Sequence, residues 1–137
     1  MLPAHIANYQ AVQIRTSSPG EVLLALYDGI FKFLQVAKHA IRARNVARAG
    51  EALSRAHAII SELYGSLDHA AYPELCTNLA KLYDFCLTRL TYANRHRDVA
   101  VIDEIIRVLT PIREANREAV KRVAADAMVE ARVGSAR

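Results

Sequence analysis

The stretch Leu26–Ala37 reads LYDGIFKFLQVA, and Leu82–Ala93 reads LYDFCLTRLTYA. Leu, Tyr and Asp open both, and a later Leu and the closing Ala recur in register, 56 residues apart. Around the first copy, apolar residues fall at Leu23, Tyr27, Ile30, Leu34, Ala37 and Ile41. Steps of three and four stack side chains on one face of an α-helix, so the phrase marks an amphipathic helix and its repetition marks two.

A second stripe follows each copy. Ala49, Leu53, Ala56, Ile60, Leu63 and Leu67 come after the first, and Ile102, Ile105, Leu109 and Ile112 after the second. Ile59-Ile60 with Leu63 matches Ile105-Ile106 with Leu109, so the chain reads as two helical hairpins. The second copy sits on its own stripe of Leu75, Leu79, Leu82, Cys86, Leu90 and Ala93. Four amphipathic helices with short connections pack most simply as an antiparallel four-helix bundle, and the expected fold class is all-α.

The punctuation agrees with this division. Ser18, Pro19 and Glu21 supply a cap, a first-turn proline and the carboxylate of a capping box. The first stripe fades at Arg44-Asn45, the second between Gly65 and Asp68; Pro73 starts the third helix and Asp98 caps the fourth. Pro111 removes a backbone donor and crowds the preceding turn, which predicts a kink or break in the fourth helix. The chain therefore divides into an N-terminal segment (1–17), a bundle (18–116) and a helical or frayed C-terminal extension (117–137), the last Ala- and charge-rich with a small apolar face.

A length of 137 residues suits one domain, and 53% hydrophobic residues with only 5 Gly, 4 Pro and no Trp suit helices better than strands. Charge interrupts every apolar run well short of the ~20 residues that cross a bilayer. Met1–Pro3 lead into no signal region, so a cytoplasmic protein without membrane insertion is expected. Cys76 and Cys86 lie roughly 15 Å apart along one helix at ~1.5 Å per residue, too far for a disulfide, and read as small core residues.

No catalytic, cofactor or metal site is expected. The histidines His5, His39, His57, His69 and His96 form no i,i+4 pair and follow no Glu-x-x-His pattern. Glycine-rich phosphate loops, Gly-x-Ser-x-Gly and Cys-x-x-Cys are all missing from the sequence. The net charge of +4 and pI of 9.3 gather most visibly at Lys38, Arg42, Arg44, Arg48 and Arg55. That cluster defines the alternative function, a basic helical adaptor for nucleic acid or an acidic protein. With no aromatic residue interleaved to stack bases, nucleic acid is not the expected partner.

Apolar residues exceed what the four stripes need. Leu24, Leu26, Phe31, Phe33, Phe85, Leu87, Tyr92, Val101, Ile106 and Val108 all fall beside them. Soluble monomers seldom leave so broad an apolar surface open, which implies a covering partner.

Three ordered motifs carry a family likeness. Thr16–Ala37 (TSSPGEVLLALYDGIFKFLQVA) resembles the opening helix of the FliS flagellar secretion chaperones, with Thr-x-Ser-Pro followed by Leu-Tyr-Asp-Gly. Glu51–Leu63 (EALSRAHAIISEL) is similar to that family's second helix, and Thr77–Asn94 (TNLAKLYDFCLTRLTYAN) to its third. The likeness spans about residues 4–116. It implies a cytoplasmic chaperone that binds the C-terminal segment of flagellin in apolar surface grooves, keeps it from polymerising, and delivers it to the export gate.

On that resemblance the groove is assigned to Leu24 and Phe31, Ile59, Tyr83 and Leu87, and Val101, Ile105 and Val108, from the first to the fourth helix. Ile6 and Tyr9 resemble an export-gate contact, or act as a clasp on the bundle. A bundle that forms a homodimer through the same surface when free is a third alternative, and the sequence does not choose between monomer and dimer. One departure stands out: where the family usually has Trp after a fourth-helix Arg, this chain reads Arg113-Glu114-Ala115-Asn116.

Overall fold

In a computed structural model, residues 18–135 are described and form four helices: α1 (Pro19–Arg42), α2 (Val46–Gly65), α3 (Pro73–His96) and α4 (Val99–Ser135). The capping box of α1 is present in both directions. The Glu21 N–H donates to Ser18 Oγ at 3.2 Å, and the Ser18 N–H donates to Glu21 Oε2 at 3.3 Å. At the start of α2 the Arg48 N–H donates to Asn45 Oδ1 at 3.1 Å, and near the start of α4 the Ala100 N–H donates to Asp98 Oδ1 at 3.0 Å. Each contact satisfies a donor that the first helical turn leaves without a partner.

The described chain separates into two units. One is Asp28–Pro111; the other joins the residues up to Tyr27 with those from Ile112 onward.

Within Asp28–Pro111 the helices follow one another head to tail. The Arg55 guanidinium lies over the Phe33 ring at 5.7 Å, and a Cβ built on Gly29 would stand 3.3 Å from Ile59 Cδ1, so α2 runs back along α1. A Cβ on Gly50 would stand 3.7 Å from Asn94 Oδ1, bringing the start of α2 against the end of α3. Arg89 Nη2 meets Glu104 Oε2 at 3.0 Å across the α3–α4 turn, and Lys38 Nζ meets Asp103 Oδ1 at 2.6 Å, which returns α4 to α1. The core between them holds Ile30, Leu34, Ile60, Leu90, Ile102, Ile105 and Leu109, each 0–1% exposed.

In the other unit the first turn of α1 lies close to α4, where a Cβ on Gly20 would stand 3.2 Å from Val120 Cγ2. From Lys121 to Gly134 every side chain is exposed, consistent with the thin apolar pattern there.

Two expectations change. The break, one of the two outcomes expected at Pro111, does not occur: helix α4 continues through that residue, and the boundary between the two units falls immediately after it. Arg107, Thr110 and Pro111 are all exposed, and Thr110 Oγ1 donates to the Ile106 carbonyl at 2.6 Å. The other concerns Leu75, expected on the inner stripe of α3, which is 57% exposed. The side chains that α3 buries are Cys76, Tyr83, Cys86, Leu90 and Ala93.

Candidate functional site

Helix α3 is apolar over a wider arc than its neighbours cover. With Cys76, Tyr83, Cys86, Leu90 and Ala93 turned inward, a second row remains: Leu75 exposed, Leu79 and Leu82 half-buried, and Phe85 39% exposed. The spacings of four, three and three keep these four side chains on neighbouring turns of one flank. Tyr72, which precedes Pro73, extends the row at 63% exposed. Such a row offers anchors at the period with which an amphipathic helix presents its own apolar face.

The residues assigned to a groove from the sequence separate into two groups. Ile59, Leu87 and Val108 are half-buried in the Asp28–Pro111 unit, and Leu24 is half-buried in the other. Phe31 (8% exposed), Tyr83 (3%), Val101 (4%) and Ile105 (0%) are core residues, which corrects their assignment to an open groove. Their apolar character is spent on packing between helices, where burial stabilises the fold by roughly 1.5–3 kcal/mol per large side chain. Ile6 and Tyr9 lie outside the described residues.

Ile59 sits against a glycine of α1. Gly29 follows Leu-Tyr-Asp in the first copy of the repeated phrase, and a Cβ there would make a tight 3.3 Å contact with Ile59 Cδ1, which would have to give by a few tenths of an ångström. In the second copy the matched position is Phe85, on the surface row of α3. This difference between the two copies separates a helix-packing position from an exposed aromatic.

Between α2 and α3 there is a shallow depression of about 160 Å³, with Leu53 and Leu90 in its floor and Ser54, His57, Thr91 and Asn94 around it. It has room for a side chain but falls short of the ~300 Å³ typical of small-molecule sites. An ion pair joins α3 to α4: Arg89 contacts Glu104 and also lies over the Tyr92 ring at 5.0 Å. Both cysteines are free and buried, and burial pushes the Cys86 thiol up to about 12, which keeps it protonated and unreactive. No described helix is long and apolar enough to cross a membrane.

The expected basic cluster also divides. Lys38 is paired with Asp103 and Arg55 with Glu51, whereas Arg42, Arg44 and Arg48 are exposed and make no ion pair among the described residues.

The sequence reading missed the Leu75–Phe85 row, although the repeat contained the signal. Shifting the inner residues Tyr27, Ile30, Leu34 and Ala37 by 56 positions lands on Tyr83, Cys86, Leu90 and Ala93, and all eight are buried. That register leaves Leu75 and Phe85 outside the matched set.

The family described as "Flagellar protein FliS" matches residues 2–123 of this chain. The flagellar secretion chaperone FliS of Bacillus subtilis is 34% identical over 113 residues, covering 82% of this chain and 84% of that protein. The protein of the same name from Salmonella typhimurium is 36% identical over 103 residues, covering 74% of this chain and 76% of its own. A solved structure described as a flagellar chaperone from bacteria superposes with a TM-score of 0.71 at 23% identity, covering 84% of this chain and 98% of that one, which supports the helical-bundle fold.

Proposed function

The chain belongs to the FliS family of flagellar proteins, and from that premise we propose that it holds the C-terminal segment of flagellin against its apolar helix flanks until export. Its role is that of a flagellar secretion chaperone, and it is not an enzyme. A chaperone of this kind binds a flagellar client protein. Flagellin's C-terminal segment as the client, the export gate as the destination and the cytoplasm as the place belong to the proposal.

The observation that carries it is the row Leu75, Leu79, Leu82 and Phe85, apolar and incompletely covered on the flank of α3. Leu87 on α3 itself, with Ile59 on α2 and Val108 on α4, adds half-buried apolar contacts in the same unit. A client segment that is disordered when free becomes helical on such a surface, and its ordering is offset by burial of apolar area. Held in that way, it is withdrawn from assembly. A second copy of the chain can cover the same row when no client is present, so the client and the homodimer compete.

Titration of the purified chain with the C-terminal segment of flagellin from the same organism tests the reading. The expected result is micromolar or tighter binding with a negative heat-capacity change and little dependence on salt. Leu75→Asp together with Phe85→Asp, both exposed and therefore tolerated by the fold, should weaken binding by about 2 kcal/mol or more, as central apolar anchors do. Absence of binding at micromolar concentration, or unchanged affinity in the double variant, overturns it.

A further inference from the structure

The turns α1–α2 and α3–α4 lie at one end of the Asp28–Pro111 unit, as the approach of Gly50 to Asn94 and the Lys38–Asp103 pair require. Residues 42–48 and 94–98, which form this end, contain five arginines and one aspartate, enough to account for the whole net charge of +4. Arg42, Arg44, Arg48, Arg95 and Arg97 are all exposed, and none makes an ion pair among the described residues. The aspartate, Asp98, is engaged by the Ala100 N–H.

Two of these arginines sit where glycine is the ordinary choice. Arg44 has φ 59° and Arg97 φ 51°, the left-handed conformation that strains any residue with a Cβ. Both turns bear this strain at matched positions, and in each the strained residue is an exposed arginine. Packing does not explain the choice, because neither side chain is buried.

We infer that this arginine-crowned end of the bundle is a docking surface for an acidic protein segment, one rich in Asp and Glu. Charge complementarity identifies the partner. All five cations are arginines, whose planar fork binds a carboxylate through two parallel hydrogen bonds, and Asp98 is the one acid within residues 42–48 and 94–98, while the neighbouring Asp103 and Glu51 are paired with Lys38 and Arg55. Single-stranded nucleic acid is disfavoured because residues 42–48 and 94–98 contain no Phe, Tyr or Trp, and Tyr92, just before the second segment, already has Arg89 over its ring at 5.0 Å and His96 against it at 4.1 Å. The surface lies at the helix ends, whereas Leu75–Phe85 runs along a flank, so the second partner is independent of the flagellin reading.

The test uses the full chain and a fluorescein-labelled oligo-glutamate peptide, with a single-stranded oligonucleotide of equal charge as the competing probe. Oligo-glutamate should bind at low salt, lose affinity steeply as salt rises, and bind more tightly than the oligonucleotide. Arg44→Gly with Arg97→Gly should weaken it roughly tenfold while leaving the melting temperature unchanged or higher, since glycine relieves both turns. Arg42→Gln with Arg95→Gln, which leaves the turns alone, should lose a comparable factor. Arg107→Gln with Arg122→Gln removes the same charge from exposed positions along α4 and should leave affinity within about twofold. No binding by the native chain, equal losses in the Arg107/Arg122 variant, or tighter binding of the oligonucleotide overturns the inference.

Discussion

Arg44 and Arg97 occupy the same place in two copies of one turn. Each is left-handed; the N–H of the residue after Arg44, Asn45, donates to the Ala40 carbonyl at 2.8 Å, and that of Asp98, after Arg97, to the Ala93 carbonyl at 3.3 Å. Asn45 and Asp98 then cap the helices that follow. One residue closes a helix and the next opens another, so each hairpin reverses in a minimum of chain. Replacing either arginine with glycine should stabilise the fold by about 0.5–1 kcal/mol, read by chemical denaturation, because the left-handed penalty vanishes. A loss of stability would show that these side chains support the fold.

The Gly29–Ile59 approach gives a second expectation. Alanine favours a helix over glycine by up to about 1 kcal/mol, but a Cβ at position 29 stands 3.3 Å from Ile59 Cδ1. Gly29→Ala should therefore gain little in the native chain and gain close to the full amount when Ile59→Val removes that methyl. A double-mutant cycle by thermal melting measures the coupling, and simple additivity would refute it.

Arg89 and Glu104 tie α3 to α4 with both side chains about one-third exposed. Exposed pairs of this kind contribute about 0.2–1 kcal/mol, and screening lowers that figure. A cycle of Arg89→Ala and Glu104→Ala should return a coupling in that range at low salt and less at high salt; a coupling insensitive to salt would contradict the assignment.

Cys86 links stability to pH. Its thiol is raised from 9.0 to about 12 by burial, so the folded chain keeps a proton that the unfolded chain releases above pH 9. The contribution is fully present below pH 9 and is lost as pH rises toward 12, at a slope of up to about 1.4 kcal/mol per pH unit. Relative to Cys86→Ala, the native chain should lose stability between pH 9 and 10.5 in denaturant titrations. Parallel curves over that interval would exclude the linkage.

Much of the architecture was legible in the residues. The three- and four-residue spacing located all four helices, and Ser18, Pro73 and Asp98 marked where three of them start, because capping is a local matter of donors and acceptors. The partition of apolar residues between core and surface was less legible. Phe31, Tyr83, Val101 and Ile105 were expected to line an open groove and are buried, while Leu75 was expected inside and is open to solvent. These helices are apolar over a broad arc, and periodicity alone does not select which part of a broad arc its neighbours cover.

The sequence by itself determined the helices, where most of them start, and their pairing into two hairpins. Those follow from hydrogen bonding and side-chain period within short stretches of chain. Only the tertiary structure decided that Ile59 seats against a glycine, that α4 passes Pro111 unbroken, and that five arginines from two separate turns meet at one end. Each of these depends on distances between segments remote in sequence, and packing sets those distances after the local rules have been satisfied.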